Sequence, residues 1–124
     1  LRAQPARQGE RVTVRTHRVA EFRAAQGAGL APGQLAALVQ SLLPPRLAER
    51  VVCHEWQPQG LSLMCFSAEL TFTLHTWPEH EACVVDLFHC PKRFDGAAFL
   101  GDLGARSGWV VIAEREFARS LSGR

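Results

Sequence analysis

The sequence predicts an α+β fold, a two-layer α/β sandwich in which an antiparallel sheet carries two helices on one face. Three observations lead there. Stretches of strict apolar and polar alternation, the mark of half-buried strands, recur along the chain, whereas apolar spacing of helical period occurs in only two places. The order is strand, helix, several antiparallel strands, helix, strand, and such a chain buries its sheet by laying both helices on the same face. The opposite face is then open to solvent, to a partner or to a second copy of the chain.

Taken in order, residues 1–10 mix Gly, Pro, Gln and Arg without periodicity and read as a flexible N-terminal segment ahead of a single domain over 11–120. Val12, Val14 and Thr16 alternate with Thr13, Arg15 and His17, which predicts a strand over 11–19, and Gly27 and Gly29 then loosen the chain. Pro32 suits a first helical turn, and Leu35, Leu38, Val39 and Leu42 follow at helical spacing until Pro44 and Pro45 stop the helix. Residues 49–56 form a short β-rich run, Gln57 to Gly60 a turn, and 61–66 a further strand.

Leu70, Phe72 and Leu74 alternate with Thr71, Thr73 and His75, a turn follows around Pro78 to Glu81, and 82–90 is again strand-like. If Trp77 faces Ala82 across that turn, antiparallel pairing places Val84 opposite His75 and Cys90 opposite Glu69 or Leu70. Asp95 can cap a weaker helix through Phe99 and Leu103, interrupted by Gly101 and Gly104, and 109–117 closes the domain as a strand.

Composition narrows the function. The chain has 124 residues, 47% of them hydrophobic, enough for one core. Fourteen basic against twelve acidic side chains leave a formal charge of only +2, which argues against a nucleic-acid partner. There is no apolar run of membrane-spanning length and no apolar signal-peptide core, so no membrane partner is expected and a cytoplasmic protein is. Cys53, Cys65, Cys83 and Cys90 include no C-x-x-C pair, which predicts reduced thiols and, with the scattered histidines, no metal site. Lys92 is the single lysine, so pyridoxal phosphate would have only that residue for its Schiff base; a solvated loop lysine is the expectation.

The informative segments are His54-Glu-Trp-Gln-Pro-Gln-Gly60, then Ala68-Glu-Leu-Thr-Phe-Thr-Leu-His-Thr-Trp-Pro-Glu79, then Val85-Asp-Leu-Phe-His-Cys90. Over residues 53–90 this resembles the single-domain prokaryotic S-adenosylmethionine decarboxylases, whose pattern runs H-R-F-x-P-Q-G, A-E-S-H-x-x-I-H-T-W-P-E and V-D-V-F-x-C with the same intervals. The resemblance implies that family's sandwich and a homodimer with the open sheet faces and the site between protomers. It also implies a link to polyamine (spermidine) biosynthesis. In the family the proenzyme cuts itself between Glu and Ser, and the Ser becomes a pyruvoyl group that serves as electron sink for decarboxylation. Carried over by position, Glu69 precedes the cut, His75 serves processing, Cys90 is the catalytic acid, Glu79 binds the substrate ribose, and Trp56 and Trp77 lie with the ligand-binding residues.

One departure decides the reading. Leu70 stands where the serine is expected and Thr71 where the next residue is histidine; leucine has no hydroxyl to attack the preceding carbonyl, so no pyruvoyl cofactor is expected. Ser67 and Thr71 are the nearest hydroxyls, at odd offsets that a period-two strand turns to the opposite face. The resulting expectation is a ligand-binding or regulatory homologue that takes S-adenosylmethionine or a related small molecule, as a homodimer or paired with an active homologue. The alternative is an enzyme acting on the same ligand through unusual processing or through pyruvoyl-independent chemistry of Cys90 and His75. Each residue also has a plain structural reading: Cys90 a small buried hydrophobe, Trp56 and Trp77 core or turn aromatics, His75 a strand histidine with a bonded ring, and Glu79 a solvated turn residue.

Overall fold

A computed structural model of the chain describes residues 13–24 and 30–121. The N-terminal segment 1–10 and the glycines Gly27 and Gly29 lie outside the described residues. Six strands, β1 (Thr13–Ala24), β2 (Arg50–Glu55), β3 (Leu61–Phe66), β4 (Leu70–Trp77), β5 (Ala82–His89) and β6 (Trp109–Leu121), form one antiparallel sheet in the order β2-β3-β4-β5-β1-β6. Two helices, α1 (Pro32–Leu42) and α2 (Gly96–Ser107), pack against each other and on one face of that sheet. The α+β sandwich expected from the pattern is therefore the fold. None of the helices among the described residues is long and apolar enough to cross a membrane.

The alternation decides which face is covered. Ala20 and Phe22 of β1, Leu61, Leu63 and Cys65 of β3, Leu70, Phe72 and Leu74 of β4, and Cys83, Val85 and Leu87 of β5 all point to the helix layer and are buried. They meet Leu35 and Val39 of α1 and Phe99, Leu100 and Leu103 of α2 in one continuous cluster. Phe72 and Phe99 meet edge to face, with centroids 5.1 Å apart at 86°, a geometry that adds about 0.5–1.5 kcal/mol to the burial of both rings.

The central hairpin keeps the register expected from its turn: Trp77 pairs with Ala82, His75 with Val84 and Leu70 with His89. β5 stops at His89, one residue short of the expected end, because Arg93 and Phe94 turn back to donate their N–H groups to the Cys90 carbonyl at 3.0 and 3.2 Å. The first and last strands of the chain run further than the sequence pattern marks. β1 continues to Ala24, with Ala20 and Phe22 buried between the exposed Glu21 and Arg23 and paired on both sides, and β6 runs to Leu121 because it pairs with β1, where no buried alternation signals it.

The α2 helix is capped as expected, with Asp95 Oδ1 accepting from the Ala98 N–H at 3.0 Å, and it ends at Gly108 in the left-handed region, φ 77°. The expected interruption at Gly101 and Gly104 is absent. Gly101 lies on the exposed side, and Gly104 lets the helix approach the sheet: a Cβ there would sit 3.1 Å from Phe22 Cε1 and 3.3 Å from the Trp109 carbonyl oxygen.

Candidate functional site

The uncovered sheet face carries Thr71, His75 and Trp77, whereas Leu70, Cys65 and Cys83 point into the covered layer. Cross-strand partners share a face, so the registers lay out its rows. His54, Ser62, His75, Val84 and Glu21 form one row; Val52, Met64, Thr73, Asp86 and Val19 the next; Arg50, Phe66, Thr71, Phe88, His17 and Phe117 the third. At the centre His17 Nε2 and Asp86 Oδ1 are 3.2 Å apart, with the rings of Phe88 and Phe117 each 6.3 Å from His17.

At one end of this face Trp56, Trp77, His75 and Glu79 come together. They line an open groove of about 410 Å³ with Gln59, Gly60, Ser62 and Thr76. Trp56 follows β2 directly, and its N–H donates to the Gly60 carbonyl at 2.8 Å, closing the turn that hangs the indole over β3. Only glycine fits at position 60, where φ is 112° and a Cβ would lie 3.2 Å from the Thr76 carbonyl oxygen. Trp56 Nε1–H donates to Ser62 Oγ at 2.9 Å, and Ser62 Oγ lies 2.8 Å from His75 Nδ1. An indole N–H can only donate, so the hydroxyl proton is free to serve Nδ1. His54 meets Trp56 edge-on at 4.3 Å, and His75 lies 6.1 Å from the Trp77 ring.

Glu79 stands on the short 3-10 turn Pro78–His80, and Glu81 closes that turn in the left-handed region, φ 52°, donating its N–H to the Pro78 carbonyl at 3.0 Å. Glu79 thereby joins the lining of the groove, exposed. Trp56 and Trp77 are 53% and 43% exposed, so they are not core aromatics; two open indole surfaces beside a carboxylate can hold a flat ring and a cation. His75 does have the bonded ring of the plain reading.

Glu69 and Cys90 lie at the opposite end. From Val84, the partner of His75, to Cys90 is six residues of extended chain, about 20 Å, so His75 and Cys90 do not meet within one chain. Cys90 is half-buried, a free thiol one residue past the end of β5. The Glu69 carboxylate is held between two arginines, Arg46 Nη1 at 2.8 Å and Arg93 Nε at 3.0 Å, and Arg46 Nη2 also donates to the Arg93 carbonyl at 3.3 Å. Burial pushes Cys65 up to about 11 and Cys83 higher still, while desolvation and then the nearby Glu55 raise Cys53.

Leu70 turns away from both ends, into the helix layer, and is 2% exposed. A pyruvoyl group needs a serine at that position, and a buried leucine packed with Phe72 and Leu74 does not fit it. Thr71 opens on the opposite face, and the Ser67 hydroxyl is engaged in the turn, accepting from the Glu69 N–H at 3.2 Å. Sequence reasoning missed Ser62, Arg46 and Arg93, and it named His54 only as part of its segment. Hairpin register alone places Ser62 beside His75, whereas nothing in the pattern signals that the two loop arginines converge on Glu69.

Comparison with known proteins bears on family and fold. The sequence profile of the S-adenosylmethionine decarboxylase family matches residues 37–106. The chain belongs to that family. Among curated relatives, an S-adenosylmethionine decarboxylase proenzyme of Clostridium botulinum (strain Loch Maree / Type A3) is 43% identical over 71 residues, 57% of this chain and 59% of that protein. The proenzyme of Pseudomonas paraeruginosa is 38% identical over 70 residues, 56% of this chain and 44% of that protein. The chain thus matches little more than half the length of the Clostridium relative and less of the Pseudomonas one. In fold it is similar to the crystal structure of the adenosylmethionine decarboxylase from Aquifex aeolicus, with a TM-score of 0.61 at 16% identity, covering 90% of this chain and 92% of that one.

Proposed function

We propose that this chain binds S-adenosylmethionine or a related amine-bearing metabolite, does not cut itself, and serves polyamine (spermidine) biosynthesis as a ligand-binding or regulatory member of its family. The observation that carries the reading is the split fate of the motif: the Trp56, His75, Trp77 and Glu79 groove is assembled, while position 70 is a leucine buried in the core. A sulfonium cation against an indole face gains about 0.5–2 kcal/mol, and the Glu79 carboxylate suits two vicinal ribose hydroxyls. Without an electron sink, the carbanion left by loss of carbon dioxide has nowhere to delocalise, and neither Cys90 nor His75 supplies one.

The partner in this reading is a second copy, or an active homologue, seated on the open sheet face. Val52, Met64 and Phe117 lie exposed there, and an antiparallel sheet left uncovered on one side with such side chains favours a covering partner. A two-fold partner also answers the separation within one chain: it sets the groove of one copy against the Glu69 and Cys90 end of the other. Intact-mass spectrometry after incubation with carboxyl-labelled S-adenosylmethionine tests the reading. One uncut chain and no labelled carbon dioxide are expected. Two chains, or released label, overturn it in favour of an enzyme with unusual processing or pyruvoyl-independent chemistry.

A further inference from the structure

Among the described residues, His89 is the one histidine inside the helix-covered layer, 2% exposed. It sits in one row with Leu70 of β4 and Thr16 of β1, and Arg18 of β1 follows on the same face beside Leu87. Phe94 meets the ring edge-on, with centroids 5.8 Å apart at 89°. From above, α2 comes down onto it by its first residue: a Cβ at Gly96 would lie 2.6 Å from His89 Cε1 and 2.8 Å from Nε2. Among the described residues, Nδ1 is buried without a hydrogen-bond partner, and so is Nε of Arg18, whose two other nitrogens are engaged by Glu114 and Glu116.

This surrounding suits an uncharged ring and little else. A proton on His89 places a cation in the core, beneath the positive pole of a helix N-terminus and diagonal to an arginine; Glu116 of β6 and Asp95 ahead of α2 oppose this only in part. Burial first, and Arg18 second, hold the imidazole below its ordinary range. Two sides of the ring are rigid, because β4, β5 and β1 are interior strands bonded on both edges. The third side is the Cys90–Gly96 segment, held by the two N–H bonds to the Cys90 carbonyl and by the Asp95 cap.

We propose that His89 is an acid-responsive latch beneath α2: uncharged, it fills the space under Gly96; once charged, it lifts the Cys90–Gly96 segment from the sheet and draws Arg93 off Glu69. The sign follows from linkage. The opened segment takes up a proton more readily than the closed one, so opening gains on closing as pH falls through the ordinary imidazole value of 6.5, by up to about tenfold per pH unit, and levels off below the lowered value in the closed state. The latch would control the Glu69 and Cys90 end without touching the groove.

The test is amide hydrogen exchange of the free protein, corrected for intrinsic rate, between about pH 7.5 and about pH 5.5, a window above the carboxylate range. It needs no ligand, so it stands or falls apart from the binding reading. The Ala98 and Phe99 amides, which bond to Asp95, are expected to lose protection on acidification while those of β4 keep theirs. In His89→Gln the acid response should vanish. Gly96→Ala, which forces the contact open, should expose the same amides already at the higher pH. If His89→Gln fails to fold, the wild-type imidazole titration by NMR replaces it and must track the exchange. Acid-independent exchange in the wild type, or an acid response that persists in His89→Gln, overturns the latch.

Discussion

On β4, Leu70, Phe72 and Leu74 are at most 2% exposed, whereas Thr71, Thr73 and His75, the residues between them, stay partly or fully open on the other side. One strand thus serves two purposes by parity alone. The covered face holds the fold together through the helix layer; the open face carries the groove, the His17–Asp86 pair and the exposed Met64 and Phe117. Leu70 thus lies on the face that makes stability, and the groove residues lie on the face open to contacts. Under the proposed function, a core leucine at position 70 therefore leaves the groove on the other face untouched.

The comparison is sharpened most by Phe72→Ala. Removing a fully buried ring that meets Phe99 edge to face should lower unfolding free energy by about 3–5 kcal/mol in denaturant titrations, while Thr73→Ala one residue away stays within about 0.5 kcal/mol. Equal effects would erase the distinction between faces. Phe88→Asp comes next. A charge in the middle of the open face should turn a dimer into a monomer by sedimentation velocity, with circular dichroism unchanged; a wild-type monomer, or a variant that still dimerises, removes the face as an interface. The smallest effect is expected at Trp56, where Trp56→Ala should weaken ligand binding by about 0.5–2 kcal/mol and leave stability nearly untouched.

Much of this layout was legible because β structure writes its faces into a two-residue period. The Leu70, Phe72, Leu74 stripe marked the buried side of β4, and the single turn at Pro78 to Glu81 set the register that separates His75 from Cys90. Helices were equally readable from Pro32, the Leu35 to Leu42 spacing and the Asp95 cap. Two kinds of information were not. The length of β6 depends on its pairing with β1, and the apparent break at Gly101 and Gly104 ignored the close approach that Gly104 allows beneath Phe22. The convergence of Arg46 and Arg93 on Glu69 joins three loops distant in sequence, which no local pattern records.

If, as proposed, the groove binds its ligand without turning it over, isothermal calorimetry with S-adenosylmethionine, in wild type and in Trp56→Ala, tests this most directly. Saturable binding heat that weakens in the variant, with no heat continuing after each injection decays, is the predicted result. Sustained heat of turnover, or the absence of any binding heat in the wild type, would contradict it.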